Sequence, residues 1–173
     1  PTHIDFTLTP GLMWTNGFGE LTTEDVKYSF DRMAVSEWKG GFDAYERLDI
    51  IDKYKATIVL KSPFAPFMII SLASNTGSII CKKATEGVGG KFTTDMPATC
   101  GPYLYEWKQK QYIKFSPNPE WTGPKPAYEN IKAVFISEDT AAALAFEAGE
   151  IDATKIVPTT YERYLKTPPP NSS

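Results

Sequence analysis

Residues 22–34 carry the most regular alternation of apolar and polar positions in the chain. Apolar side chains recur there at i, i+4, i+7 and i+8, which places them on one face of a helix: Val26, Phe30, Met33 and Ala34. Thr22 stands in front of this stretch and Asp25 follows three residues later, which is the spacing of a reciprocal capping box. The pattern predicts an amphipathic helix over residues 23–34.

Shorter alternations on either side of this helix predict strands. Residues 4–9 alternate apolar with polar side chains before a Pro-Gly turn, and residues 48–60 form a hairpin candidate around a central polar pair. A second hairpin is predicted for residues 103–115, with aromatic side chains on one face and a lysine-rich tip. Residues 131–136 are predicted to form a further buried strand.

Two more helices are indicated by their apolar content and their boundaries. After a Ser-Pro pair, apolar side chains cover most of the circumference of a helix over residues 62–72, which is therefore expected to be buried on more than one side. Residues 75–78 end it as a polar turn. A capped helix is predicted over residues 141–148, which stops at Gly149, and residues 150–153 follow as a strand end. These elements predict the α/β class, with mixed α+β content.

Two large aromatic residues flank a Gly-Gly pair between residues 36 and 44. Trp38 and Phe42 therefore stand on backbone that the interior of a helix or strand would tolerate only at a cost. Aromatic side chains on such a loop suit a ligand-binding surface. Alternatively, they fold back over the core as a lid, and the sequence leaves both interpretations open.

The composition is that of a globular protein without a strongly charged face. The chain has 173 residues, of which 42% are hydrophobic, and a formal net charge of −3. The charge balance argues against nucleic acid as a partner. No apolar run reaches the length needed to span a bilayer, so membrane contact is expected to be peripheral only. Pro1 begins no recognisable secretory signal, and we expect the chain to be an excised part of a longer protein.

Side chains for catalysis or metal binding are scarce. His3 is the single histidine and lies far from any serine motif, so a nucleophilic triad is not expected. One histidine and two cysteines do not supply a zinc or transition-metal site. The acidic pairs stand mainly at predicted helix starts, where carboxylates cap the helix. We therefore expect a binding protein without metal or cofactor rather than an enzyme.

Cys81 and Cys100 enclose a short loop in the sequence. In an oxidising compartment such a pair could form a disulfide, which typically stabilises a protein by about 3 kcal/mol. Two unconnected buried thiols are the equally acceptable alternative.

The order of motifs resembles the family 5 extracytoplasmic solute-binding proteins, the peptide, opine and nickel-chelate receptors of ABC importers. A strand, a Pro-Gly turn, an aromatic residue, an Asn-Gly turn and a Leu-Thr pair precede the capped helix, whose matching residues are Asp25, Val26, Tyr28, Ser29 and Phe30. Asn16 stands where the family has aspartate. The link over residues 18–20 is one residue longer than the family's and lacks its proline.

The resemblance continues to residue 152. Residues 62–67 resemble the family's Pro-Phe helix, and residues 99–103 resemble its Thr-Gly-Pro-Tyr motif. The last part of the pattern matches best, through Asn118, Pro119, Trp121, Gly123, Pro126, Gly149, Glu150, Ile151 and Asp152. Pro117 replaces the usual arginine, and the usual tyrosine is missing.

The resemblance implies a periplasmic-binding-protein type II-like lobe that is incomplete in this chain. Residues 1–96 would form the outer subdomain of the first lobe and residues 97–173 part of its core subdomain, with the second lobe absent. In such receptors two lobes close on a solute, and the closed form is presented to the importer. The implied partners are a peptide or similar small solute and the permease subunits. The implied location is the periplasm or the extracellular space, with a lipoprotein anchor as one option.

The resemblance also bears on the cysteines and on the ligand site. Cys81 replaces the family's usual proline and Cys100 lies within its Thr-Gly-Pro-Tyr region, which together favour a disulfide between them. Candidate ligand contacts are chosen for their chemistry and their place after helix ends: Trp38, Phe42, Tyr45, Asn75, Thr76 and Ser78.

Two other functions remain open at this point. The same fold could serve as a sensor or regulatory domain, which the flanks of the native chain would reveal. A secreted carbohydrate-binding module is suggested by the aromatic content of 13% and by the possible disulfide.

Overall fold

The computed structural model describes residues 1–92 and 96–169, which form two compact units. The first unit comprises residues 1–105 and 115–130, and the second comprises residues 106–114 together with residue 131 onward. The proposed outer and core subdomains, which divide at residue 96, are a different partition of the chain and stay a prediction. The mixed helix and strand content that the sequence predicts is confirmed.

The first unit is built on a three-stranded antiparallel sheet in the order β1-β5-β4. The strands are β1 (His3–Thr7), β4 (Tyr45–Ile50) and β5 (Lys55–Leu60). Their register pairs Ile4 with Ile58 and Leu48 with Ile58, so apolar side chains share one face. The first predicted hairpin is therefore confirmed. Two short strands follow β1 in the chain, β2 (Met13–Trp14) and β3 (Gly19–Glu20). They pair with each other in a separate two-stranded sheet.

Helix α1 spans Thr23–Ala34, the range that the sequence predicts. Its capping box is present: the Thr22 side chain accepts from the third helical N–H, and the Asp25 carboxylate accepts from the Thr22 N–H at 3.0 Å. The helix packs its apolar face on β4. The resulting core contains Val26, Phe30, Phe42, Tyr45, Leu48, Ala56, Ile58, Leu60 and Phe67.

A smaller apolar cluster joins the β2–β3 hairpin to helix α2 (Lys82–Gly87) and contains Trp14, Leu21, Cys81, Ala84 and Ala98. The intervening turn is held by Asn16, whose φ of 61° lies in the left-handed region that asparagine tolerates. The Asn16 side-chain amide donates to the Pro97 carbonyl at 2.9 Å. Asparagine can make this contact, whereas the carboxylate of an aspartate has no hydrogen to donate.

Residues 62–72 differ from the sequence prediction. The structure forms only a π-helical turn over Met68–Leu72, and the predicted multi-sided burial is wrong. Phe67 is fully buried, whereas the side chains that follow it are exposed: Met68, Ile69 and Ile70. Pro66 accounts for part of the difference. A helix that began at residue 62 would need the N–H of residue 66 to donate to the carbonyl four residues earlier, and proline has no N–H. The Pro66 carbonyl instead accepts the N–H groups of Ile69 and Ile70.

The second predicted hairpin is confirmed as β6 (Tyr103–Lys108) and β7 (Tyr112–Pro117), and the boundary between the units falls within these strands. Strand β8 (Ile131–Val134) follows β7 in the sheet order β6-β7-β8. The prediction that β8 is buried is wrong, because all of its residues are exposed.

The second unit also carries two helices. Helix α3 spans Asp139–Glu147 and ends before Gly149, whose φ of 73° is the left-handed value that glycine adopts at no steric cost. Residues 150–153, all within the described part of the chain, form no strand, so that prediction is wrong. Helix α4 (Pro158–Lys166) was not predicted, although proline at its first position is a start signal. Among the described residues, no helix has both the length and the apolar character to cross a membrane.

Glu20 connects three parts of the first unit through its carboxylate. The carboxylate accepts hydrogen bonds from the Lys53 ammonium at 2.5 Å, the Gly11 N–H at 2.5 Å and the Tyr54 hydroxyl at 3.0 Å. The Lys53 and Gly11 contacts lower the pKa of Glu20 from 4.5 to about 2. Glu20, the last residue of the link over residues 18–20, is therefore fixed by a charge-assisted contact.

We expect the Glu20 contact to stabilise the fold above pH 4.5 and to be lost as the pH falls toward 2. The sign follows because the folded state binds the proton less tightly than the unfolded chain, so acid favours unfolding. Urea unfolding of the wild type and of Glu20→Gln, measured by far-UV circular dichroism between pH 7 and pH 2, checks this. The difference in unfolding free energy should shrink as the pH falls, and a constant difference would contradict it.

Candidate ligand-binding surface

Two loops of the first unit lie side by side and form what we call the loop platform, residues 36–42 and 68–78. A β-carbon placed on Gly41 would lie 3.2 Å from the Thr76 hydroxyl oxygen and 3.7 Å from the Ile70 carbonyl oxygen. The Ser71 hydroxyl donates to the Gly41 carbonyl, and Ser71 is fully buried. Glycine at position 41 thus permits the close approach of the two loops.

The turn in the second loop is held by its own hydroxyl groups. The Thr76 hydroxyl lies 2.7 Å from the Ser74 hydroxyl and 3.2 Å from the Ser71 carbonyl oxygen. The Gly77 N–H donates to the Ser74 carbonyl at 3.1 Å, which closes a 3-10 turn over Asn75–Gly77. These contacts give the turn a defined shape without a regular helix.

The first loop is anchored to the C-terminal end of α1. The Ser36 hydroxyl donates to the Met33 carbonyl at 2.8 Å and accepts the Trp38 N–H at 3.2 Å. The Trp38 side chain itself is 75% exposed. The loop therefore fixes the backbone that presents an indole to solvent.

The structure brings some of the predicted ligand contacts together and separates others from them. Trp38 is exposed on one platform loop, and Asn75 and Ser78 are exposed on the other. Thr76 is half-buried, with its hydroxyl close to Gly41. The exposed set offers an aromatic face, an amide and a hydroxyl, which are groups that stack on and hydrogen-bond to small polar solutes.

Phe42 and Tyr45 instead belong to the core, with exposures of 1% and 2%. The Phe42 ring lies 5.2 Å from the Phe30 ring and 5.5 Å from the Phe67 ring, between centroids. The Tyr45 hydroxyl donates to Asp31 at 2.6 Å, and burial with this contact raises the pKa of Tyr45 above its usual range. The two aromatic residues of the Gly-Gly loop therefore differ. Phe42 folds back on the core, whereas the Trp38 side chain faces solvent, where a ligand could reach it.

Three exposed apolar residues of the platform were missed as surface residues by the sequence analysis: Met68, Ile69 and Ile70. Their apolar character suggested burial, and the only contrary signal was the pair of prolines at 63 and 66. Together with Trp38 they give the platform four exposed apolar side chains. Its polar groups are those of the turn and the exposed charges of Glu37 and Lys39 on the other loop.

The predicted disulfide is not present. Cys81 and Cys100 are both free, with Cys81 buried and Cys100 packed against the same cluster. Burial raises the pKa of both thiols, so they stay protonated and pack as small apolar groups. The prediction treated two substitutions at motif positions as a covalent pair, whereas the structure accommodates them as neighbours in an apolar cluster.

A shallow depression of about 300 Å³ runs along the exposed face of α1. Four of its five charged groups form two pairs: Lys27 lies 2.9 Å from Asp31, and Lys82 lies 3.4 Å from Glu24. The fifth, Arg32, donates to the Gly90 carbonyl. Because these groups already have partners within the protein, we do not place a ligand site there. Within residues 1–92 and 96–169, no three His, Cys, Asp or Glu side chains cluster in a way that could hold a metal ion.

Comparison with known proteins matches almost the entire chain to one family model. The model described as "Bacterial extracellular solute-binding proteins, family 5 Middle" matches residues 1–172. The probable D,D-dipeptide-binding periplasmic protein DdpA of Escherichia coli (strain K12) is 28% identical over 169 residues, which cover 93% of this chain and 32% of that protein. The oligopeptide-binding protein AppA of Bacillus subtilis (strain 168) is 27% identical and is matched over 83% of this chain and 28% of its own length. The chain thus spans about a third of the length of these curated relatives.

Solved structures show the same fold. The binding protein MoaA of A. tumefaciens R10, in complex with mannopinic acid, superposes with a TM-score of 0.75 at 29% identity, covering 96% of this chain and 35% of that one. AppA of Bacillus subtilis, in complex with a nonapeptide, superposes with a TM-score of 0.74 at 23% identity, covering 95% of this chain and 34% of that one. These superpositions confirm the predicted periplasmic-binding-protein type II fold.

Proposed function

Because the chain belongs to the bacterial extracellular solute-binding proteins of family 5, we propose that it is part of the solute-capturing component of an ABC importer. The observation that carries this proposal is the family match over residues 1–172. In this role the protein binds its solute outside the cytoplasmic membrane and delivers it to the permease subunits. The periplasmic location in the name of the DdpA relative supports the placement.

The proposed solute is a peptide or a peptide-like small molecule. Two curated relatives are named for binding a D,D-dipeptide and an oligopeptide. MoaA, at 29% identity, was solved with mannopinic acid, which supports including small molecules other than peptides. The platform combines exposed apolar side chains with polar groups and with the charges of Glu37 and Lys39. Such a mixture suits these ligands, because small-molecule sites pair apolar surface with a few polar groups that fix orientation.

We propose that the exposed groups of the loop platform contact this solute. Trp38 would stack on an apolar or planar part of the ligand, and Asn75 and Ser78 would hydrogen-bond to its amide or hydroxyl groups. Thr76 would support the turn from below, since its hydroxyl already has two partners in the loop. Phe42 and Tyr45 would act indirectly, by holding the core under the platform.

Delivery to the importer would depend on lobe closure. A solute that binds the closed arrangement more tightly than the open one shifts the protein toward the closed form, which the permease then recognises. The relatives are about three times as long as this chain, which supports a second lobe as the source of the remaining ligand contacts. We keep residues 1–96 as the proposed outer subdomain and residues 97–173 as part of the proposed core subdomain.

Calorimetry on the complete natural polypeptide tests the proposal. The probes are L-alanyl-L-alanine, D-alanyl-D-alanine, a nonapeptide, mannopinic acid and, as the competing class, maltotriose. We expect at least one peptide or opine to bind with a micromolar or lower dissociation constant, which corresponds to a binding free energy of about −8 kcal/mol. Binding of maltotriose without any peptide or opine would overturn the proposal in favour of a carbohydrate-binding module.

The platform is tested by Trp38→Ala in the same measurement. The loss of an exposed aromatic anchor should raise the dissociation constant of the solute about tenfold or more. Trp107→Ala is the matched control, because Trp107 is an exposed tryptophan of the second unit, outside both platform loops. Equal affinity of Trp38→Ala and the wild type would place the solute elsewhere.

A further inference from the structure

The carboxylate of Asp25 caps the beginning of two helices. One oxygen accepts the Thr22 N–H at 3.0 Å, at the start of α1, and the other accepts the Lys82 N–H at 2.9 Å, at the start of α2. Asp25 is 7% exposed, so both hydrogen bonds are shielded from water. A single side chain thus joins α2 to α1.

Ser29 makes a second connection one turn further along α1. Its hydroxyl donates to the Asp25 carbonyl at 2.6 Å and accepts the Ile80 N–H at 2.9 Å. Ser29 is 4% exposed. The i and i+4 spacing of Asp25 and Ser29 places both side chains on the face of α1 that contacts residues 80–82.

The segment that these two side chains hold has no regular secondary structure before α2 begins. Among the described residues, no backbone carbonyl accepts the N–H of Ile80 or Lys82, so Ser29 and Asp25 are the partners of these two groups. Leaving such groups unpaired in the interior is costly. Ile79, directly before them, packs against both apolar clusters of the first unit.

This segment follows directly on the polar turn of the loop platform. The upstream side of the turn is held by the Ser71 hydroxyl, which donates to the Gly41 carbonyl. Its downstream side continues into residues 80–82, which Ser29 and Asp25 fix to α1. The other platform loop begins at the C-terminal end of the same helix, where Ser36 binds the Met33 carbonyl. Helix α1 is therefore the common frame of both loops.

From this geometry we infer that Asp25 and Ser29 are positioning residues for the loop platform, an inference that rests on the proposed function of that surface. They hold the backbone that presents Asn75 and Ser78, so that these side chains keep a fixed place relative to Trp38. A surface whose loops are already ordered loses less conformational entropy when a ligand binds. In this view Asp25 and Ser29 of the helix motif contribute to ligand binding by ordering the loop backbone, without touching the ligand.

Hydrogen exchange on the complete natural polypeptide, without ligand, tests the positioning. Ser29→Ala removes the acceptor of the Ile80 N–H, and we expect the amides of residues 75–82 to exchange at least about tenfold faster. The amides of β4 and β5 should keep their wild-type rates. Ser29→Thr retains the hydroxyl and should restore slow exchange.

Thr23→Val is the matched control for this measurement. Thr23 is equally buried in α1, but its hydroxyl donates to the Asp52 carbonyl at 2.8 Å, away from the platform. Its loss should leave residues 75–82 at wild-type rates. Wild-type exchange of residues 75–82 in Ser29→Ala would overturn the inference, as would equal acceleration in Ser29→Ala and Thr23→Val.

A second variant keeps the test decisive if Ser29→Ala does not fold. Lys82→Pro removes the N–H that Asp25 accepts, together with the exposed ammonium, and proline is tolerated at the first position of a helix. The preceding residue, Cys81, has ψ of 112°, which is compatible with a following proline. Faster exchange of residues 75–81 is expected in Lys82→Pro but not in Lys82→Ala, which loses only the exposed pair with Glu24. Equal rates in the two variants would contradict the role of Asp25.

Binding of L-alanyl-L-alanine separates this inference from the proposed function. If the wild type binds the dipeptide, Ser29→Ala should weaken it about tenfold and Ser29→Thr should restore it. Unchanged affinity in Ser29→Ala would overturn the link between positioning and binding. If no peptide or opine binds the wild type, the proposed function fails, while the exchange rates still decide whether Asp25 and Ser29 order the turn.

Discussion

Replacing Phe42 with alanine is expected to lower the free energy of unfolding by about 3–5 kcal/mol. The Phe42 ring is 1% exposed and lies within 6 Å of three other aromatic rings, those of Phe30, Tyr45 and Phe67. Its removal deletes these contacts and leaves a cavity that the surrounding sheet and helix can close only in part. Urea unfolding followed by far-UV circular dichroism measures the change.

The exposed tryptophan of the same loop gives the contrast. Trp38→Ala should change the free energy of unfolding by no more than about 0.5 kcal/mol, because the indole is 75% exposed. The two variants therefore separate the two interpretations of the Gly-Gly loop, one residue holding the core and the other facing solvent. A small effect of Phe42→Ala together with a large effect of Trp38→Ala would contradict the placement of both rings.

Local signals explain why part of the fold could be predicted from the sequence. The bounds of α1 follow from a capping box and an apolar stripe within residues 22–34, and the structure keeps both. The two hairpins follow from alternation around short polar turns. In each case the pattern and the partner that satisfies it are close together in the chain, so little depends on the remainder of the protein.

The misplaced elements depend on distant contacts instead. Met68, Ile69 and Ile70 look like core residues in the sequence. Of this segment, however, Phe67 is the residue that packs beside Phe42, and the three that follow it are exposed. Strand β8 is apolar in sequence and exposed in the structure. Apolar character indicates that burial would be favourable, but only tertiary neighbours decide which side chain is covered.

The candidate site shows the same limit. Residue chemistry singled out Trp38 and Phe42 alike, since both are aromatic and flank glycines. Nothing within the loop distinguishes them, and the choice is made by Phe30 and Phe67, which come from other segments. The Cys81 and Cys100 prediction failed for a related reason, because proximity within an apolar cluster does not require a covalent bond.

Replacing Gly77 with alanine is expected to destabilise the protein by about 2–3 kcal/mol and to displace the polar turn of the platform. A β-carbon at this position would collide with the Leu72 carbonyl group and α-carbon. The position of a β-carbon is set by the backbone of residue 77, and the atoms it would meet belong to the backbone of Leu72. Side-chain rotation therefore cannot relieve the collision. The N–H of Gly77 and the N–H of Ser78 close the turn on Ser74 and Asn75, and displacement would strain these bonds. Urea unfolding reports the stability, and hydrogen exchange of residues 74–78 reports the turn.

Gly40→Ala is the matched control, because it makes the same substitution in the other platform loop. A β-carbon on Gly40 would meet no atom within 4 Å, and Gly40 is not among the glycines with positive φ. The substitution should therefore be neutral or stabilise the protein by up to about 1 kcal/mol, through reduced entropy of the unfolded chain. If Gly77→Ala proved as harmless as Gly40→Ala, the turn would not approach Leu72 as closely as the structure shows. That result would contradict the proposal that a rigid turn holds Asn75 and Ser78 in place to bind the solute.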